Sequence, residues 1–278
     1  MRLFILWVFL GLATSVAHAW STLEDWALVV ATQLKARDPL PVLSHYGASL
    51  SLPEAYDVQR RVVRLIAGDD PPIAGYKASL TRPRGQVAFD VREPITGVIL
   101  KPGILRGPQT LRMRDFKQLT IAPGLAFVLK SAITKPLTDM GELQAAVGTA
   151  MPAIDLSDYR FETAEGLRAT DLVAANTGFA RVLLGRPLPA ADPATVNALL
   201  VELEYNDTVV DRGRAVNVMG NQYTALYWLV NQVLRQGGAL PAGTLLVTGG
   251  FSDPVPARLG SYVAKYWDMM NLEFTLEH

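Results

Sequence analysis

Apolar positions three or four residues apart mark two early helices. Leu23, Trp26, Val30 and Leu34 share one helical face, Thr22 stands at the capping position with Asp25 three residues on, and Asp38-Pro39 closes the stretch. Ala55, Val58, Val62 and Ile66 repeat the pattern after Ser51, with Pro53 early, Glu54 at the capping-box position and Gly68 as the stop. The pattern then changes. In residues 121–129 five apolar residues follow one another from Leu125, which predicts a strand buried on both faces. Residues 141–149 read as a short helix leading into a second apolar segment, 152–160. Residues 186–193 read as a linker or surface loop. Two strands, 199–205 and 208–212, flank Asn206-Asp207, a pair that tolerates the positive φ of a tight hairpin turn. A last long helix, about 222–236, turns Leu226, Leu229, Val230 and Val233 inward and stops at Gly237. No internal repeat or low-complexity tract is present.

At 278 residues the chain can bury a full core as one large or two small domains. Half its residues are apolar, 19% are charged and the formal net charge is zero, so the basic stripe expected of a nucleic-acid binder is missing. With no cysteine, disulfides, thiolate catalysis and Cys-ligated zinc are excluded, and three histidines argue against a histidine metal site. Residues 1–19 carry Arg2, an apolar stretch from Leu3 to Ala13 and then Ala17-His18-Ala19, the pattern of a secretory signal peptide with an A-x-A cleavage site. The apolar run is short for a membrane span. The expected product begins at Trp20, is secreted or periplasmic, has no stable membrane span and carries a formal charge of 25 − 26 = −1. An uncleaved anchor is the alternative.

Residues 152–160 hold the first candidate chemistry. Asp155, Asp158 and Arg160 follow an apolar start, and acids that enter a core must be paired or liganded. Asp155 is therefore either a site carboxylate or an exposed turn carboxylate. Lys77, among small and apolar residues, is either a partly desolvated proton-transfer group or a surface lysine with its stem laid along the protein.

The runs IAPGLAFVL (121–129) and MPAIDLSDYRF (151–161) resemble the central blocks of the 2-keto-4-pentenoate hydratase family, within the fumarylacetoacetate hydrolase superfamily. In that family the first block carries E-x-E before its apolar strand and the second reads P-A-x-E-x-x-D-S-R, the three Glu holding a divalent cation. Aligned on Ala126-Phe127-Val128-Leu129, the first two ligand positions fall on Ala122 and Gly124. Only Asp155 keeps a carboxylate, so Mg or Mn ligation would rest on one acid where octahedral oxygen ligation is wanted. Gly75-Tyr76-Lys77-Ala78-Ser79-Leu80-Thr81 resembles the family's G-x-K-x-G-L-T, whose lysine lies in the active site; Tyr76 and Thr81 flank it as substrate-binding candidates. "PEAYDVQ" at 53–59 resembles an early family helix, and an ordinary amphipathic helix explains it equally well. Ile95 stands where a P-D-x-G stretch has its aspartate. Residues 169–178 resemble D-T-V-A-D-N-A-S and keep Asp171 and Asn176, while Ala175 and Gly178 replace an acid and a serine. Asn176 either offers an amide to a ligand or caps a turn. Residues 243–250 are similar to the family's G-D-I-I-L-T-G-A-L, which makes Thr248 a candidate ligand contact.

The resemblance implies an α+β fold, a mixed, rolled and barrel-like sheet with peripheral helices, in a domain of residues 71–278 after an N-terminal helical segment of 20–70. It also implies a small organic-acid ligand and a homo-oligomer. Three readings of function compete. One is a lyase, a hydratase on a 2-keto or enol acid, in which Lys77 and Arg160 take over the cation's role. The second is a non-catalytic binding or scaffold protein with an apolar pocket. The third is a metalloenzyme with ligands rearranged among Asp155, Asp158 and Asp171.

Overall fold

The computed structural model describes residues 22–188, 191–267 and 269–278, so the leader and its cleavage site lie outside the described residues. Helix α1 (Leu23–Ala36) opens on a Thr22/Asp25 capping box, and α2 (Leu52–Ala67) on a Ser51/Glu54 box with Gly68 as its cap. Each box satisfies orphan N–H groups of the first turn. Next come β1 (Ile73–Ser79), α3 (Pro83–Ala88), β2 (Ile95–Leu100), β3 (Ile104–Arg106), β4 (Gln109–Arg112) and β5 (Leu119–Leu129). Then follow α4 (Met140–Ala146), β6 (Val147–Asp158), α5 (Ala169–Ala174), β7 (Phe179–Leu184), α6 (Pro193–Asn197), β8 (Leu200–Tyr205) and β9 (Thr208–Arg214). The chain ends with α7 (Gln222–Arg235), β10 (Leu245–Gly250), β11 (Val255–Pro256), β12 (Gly260–Tyr266) and β13 (Met270–Glu277). The helix expected over 141–149 ends at Ala146, because the chain there pairs with β5 and begins β6.

Two mixed sheets form the body. The larger runs β2-β1-β10-β5-β6-β7-β3, with β11 added to β5; the smaller runs β4-β13-β12-β8-β9, and neither closes into a barrel. Strand β5 lies inside the larger sheet, and nearly every residue from Ile121 to Leu129 is buried, as an unbroken apolar run requires. The β8–β9 hairpin turns on Asn206 and Asp207, at φ 46° and 62°. Helix α7 buries Leu226, Leu229, Val230 and Val233 in the main core. Helices α1, α2 and α5 share a second cluster with Ile95, so the position at which the resembling stretch has an aspartate fills apolar space here. No helix among the described residues is long and apolar enough to cross a membrane.

Candidate functional site

Side chains alternate along a strand, so Asp155, Ser157 and, just past its end, Tyr159 leave β6 on one face. On β1 the same alternation groups Lys77 with Ser79. The two strands are separated in the sheet by β10 and β5, yet Lys77 reaches Asp155: its Nζ lies 2.6 Å from Oδ2. Nζ also donates to Ser157 Oγ at 2.7 Å, and the Ser157 hydroxyl donates to Asp155 Oδ2 at 3.2 Å. Lys77 is 1% exposed, and its packing depends on Gly97, its partner on β2. A Cβ at Gly97 would stand 2.1 Å from Thr177 Oγ1.

Beside the pair lies a cavity of about 100 Å³, whose lining includes Asp155, Ser157 and Tyr159 together with Ser79, Thr81 and Arg82. Burial raises the Tyr159 phenol above its ordinary pKa; Lys77 pulls it down and Asp155 pushes it up, while Ser157 and Ser79 are hydrogen-bond partners of the side chain. The phenol therefore stays a donor across the neutral range. Thr81 is held against Gly249, whose φ is 112° and where a Cβ would lie 2.5 Å from Thr81 Oγ1.

The donor set does not fit a divalent cation. Ala122 pairs with Asp155 in the β5–β6 ladder and brings only a methyl group. At Gly124 a Cβ would stand 2.3 Å from the Gly249 carbonyl oxygen, so the backbone leaves no room there for an acidic side chain. Asp155 Oδ2 is already engaged by Lys77 and Ser157, and no group of three or more His, Asp or Glu among the described residues could hold a metal. The acids considered for a rearranged site are committed elsewhere. Asp158 accepts from the Lys117 and Gln118 N–H groups and from Arg160. Asp171 accepts from the Leu43 and Arg168 N–H groups as the capping acid of α5, its pKa raised chiefly by burial.

The remaining predicted residues divide. Thr81 reaches the cavity. Tyr76 points the other way, into the main core beside Val98. Asn176 spends its amide on Val98, accepting from N–H at 2.7 Å and donating to C=O at 2.9 Å. The Thr248 hydroxyl donates to Gln222 Oε1 at 2.5 Å, inside the core. Arg160 forks onto Asp158 and lines a separate cleft of about 470 Å³, so the structure does not bring it to Lys77. Sequence reading missed Ser79, Arg82, Ser157 and Tyr159. The two-residue spacing of Asp155, Ser157 and Tyr159 was the available signal.

No family model matches the chain. It is 28% identical over 234 residues to the 2-oxo-hept-4-ene-1,7-dioate hydratase of Escherichia coli, covering 81% of this chain and 86% of that protein. To the 2-keto-4-pentenoate hydratase of Paraburkholderia phymatum it is 27% identical, covering 76% and 80%. The resemblance to the 2-keto-4-pentenoate hydratase family holds. Among solved structures, the 4-oxalocrotonate decarboxylase of Pseudomonas putida G7, complexed with magnesium and adipate, superposes with a TM-score of 0.84 at 22% identity, covering 92% of this chain and 97% of that one. The chain thus shares the fold of that decarboxylase. Against these hydratase relatives, size does not select the site. A wider cleft of about 710 Å³ along α2 is lined by Asp57, Arg60, Arg92 and Glu93 but lacks a buried ion pair. The smaller cavity is bordered by Asp155, the carboxylate that the buried Lys77 engages.

Proposed function

We propose that this chain binds, and as a hydro-lyase acts on, a small 2-keto or enol carboxylic acid at the Lys77–Asp155 cavity, without the divalent cation. The observation that carries the reading is the ammonium of Lys77 held 2.6 Å from the carboxylate that aligns with a cation-holding Glu. Both hydratase relatives are named for 2-oxo or 2-keto acids, which supports the substrate class. The developing enolate oxygen would be met by the Tyr159 phenol, which keeps its proton across the neutral range at the cavity wall. Lys77, Ser157 and Asp155 form a hydrogen-bonded chain along which a proton can pass to or from the carbon skeleton. The cavity lining includes the charged side chains of Asp155, Arg82 and Asp253, which supports an ionic ligand over the apolar one of a scaffold role.

The test is a thermal-shift series with short 2-keto acids, with and without chelator. Protection that is indifferent to chelator supports the reading. Protection that needs added Mg²⁺ or Mn²⁺ overturns its metal-free part, and no response to any acid favours a scaffold. Export is a further part of the proposal: the secreted or periplasmic product should begin at Trp20 by N-terminal sequencing, and an intact Met1 would refute cleavage. A homo-oligomer is proposed as well, to be read from its mass in solution.

A further inference from the structure

Arg82 follows the Lys77 segment and lines the same cavity as Tyr159. Its Nη1 is buried and makes no hydrogen bond, although Asp253 Oδ1 stands 3.2 Å away as an ion partner. Asp253 also lines the cavity and pairs with Arg84, whose Nη1 lies 3.3 Å from Oδ2. At this edge two guanidinium groups share one carboxylate, and that carboxylate is half exposed. Asp253 can therefore stay with Arg84 when Arg82 turns to another anion. A guanidinium with a spare N–H is the side chain suited to a carboxylate, which it grips through two parallel bonds.

From this we infer that Arg82 is the anchor for the ligand's carboxylate, that Asp253 occupies it in the empty protein, and that the preferred ligand is a short 2-keto monocarboxylate rather than a dicarboxylate. The inference rests on the proposed function and narrows it. In a 2-keto acid the carboxylate and the oxo group are on adjacent carbons, so Arg82 and Tyr159, which line the same cavity, can serve both within a small space. About 100 Å³ is well under the roughly 300–1,000 Å³ of sites for drug-sized ligands. Among the described residues Arg82 is the cation that lines this cavity, so a distal carboxylate would meet no second one on the wall. Charge selection of this kind works by leaving the wrong ligand with an unpaired, desolvated group.

Calorimetric titration with 2-oxobutyrate and 2-oxoglutarate tests the inference on four proteins. The wild type should bind 2-oxobutyrate more tightly. Arg82→Met should weaken it about tenfold or more, the loss of a charge-assisted pair. Arg84→Met should weaken it a little, because Asp253 then holds only Arg82, and Asp253→Asn should tighten it. Unchanged affinity in Arg82→Met, or tighter binding of 2-oxoglutarate by the wild type, overturns the inference while leaving the proposed function standing. If the wild type binds neither acid, both fall. A melting temperature measured on each variant separates lost binding from lost folding.

Discussion

Two buried ion pairs share strand β6, and they are built for different ends. Asp158 has both oxygens engaged, Oδ1 by two backbone N–H groups and Oδ2 by the Arg160 fork, and it is 3% exposed. Asp155, three residues earlier, is 13% exposed, accepts from Lys77 and Ser157 on one oxygen, and faces a cavity. Asp158 has no oxygen left for a further partner, although the pair borders a cleft of its own, whereas Asp155 keeps Oδ1 outside these contacts at the wall of the smaller cavity. Asp158 ties the Lys117–Gln118 backbone to the end of β6, and Asp155 presents chemistry. The largest expected effect follows: Asp158→Ala should cost about 3–5 kcal/mol in denaturant unfolding, because Arg160 is left charged, buried and unpaired. A loss below about 1 kcal/mol would erase the contrast between the pairs.

On the other side of the comparison, Lys77→Met should cost less stability, about 1–2 kcal/mol, since Asp155 borders a cavity and can take up water or a proton. It should also abolish stabilisation by 2-keto acids and any turnover. A folded Lys77→Met protein that still responds to the acids would make the lysine a structural pair like Arg160.

The two pairs also show what the sequence could reveal. Strand β5, the capping boxes and the Asn206-Asp207 turn were legible because each depends on neighbours in the chain. Lys77 and Asp155 were legible singly, through their apolar settings and the family resemblance. Their contact was not, because β10 and β5 intervene between their strands and only the curvature of the sheet brings a long side chain across. Arg160 and Asn176 looked like ligand groups for the same reason that Lys77 did. Residue type does not say whether a hydrogen-bonding group meets a ligand or, as here, a carboxylate and the Val98 backbone.

A subtler probe of the cavity side is alkaline pH. The Tyr159 pKa is raised in the folded protein, so the native state holds its proton more tightly than the unfolded chain, whose tyrosines ionise near about pH 10. Stability from this source is fully present below about pH 10 and is lost as pH rises from there through the folded value. Tyr266, buried and donating to the Gly124 and Ala153 carbonyls, shifts the same way. Tyr159→Phe should therefore flatten, without removing, the fall of stability above about pH 10. An unchanged slope would mean that Tyr159 ionises freely and is no fixed donor to an enolate.

The smallest effect concerns a group that fell on neither side of the site. The Thr248 hydroxyl is buried, 2.5 Å from Gln222 Oε1 and 3.3 Å from the Leu125 carbonyl oxygen, and Gln222 in turn donates to the Ala215 carbonyl. This chain ties β10 to the start of α7, so its partners are consumed within the fold. Thr248→Val should cost about 1 kcal/mol, the net worth of one intramolecular hydrogen bond, plus part of the penalty for leaving Gln222 short of a donor. The affinity for 2-keto acids should stay as it was. A Thr248→Val protein with intact stability and weakened ligand binding would move this hydroxyl back to the cavity and redraw the boundary between the part of β10 that holds the core and the part that serves the ligand.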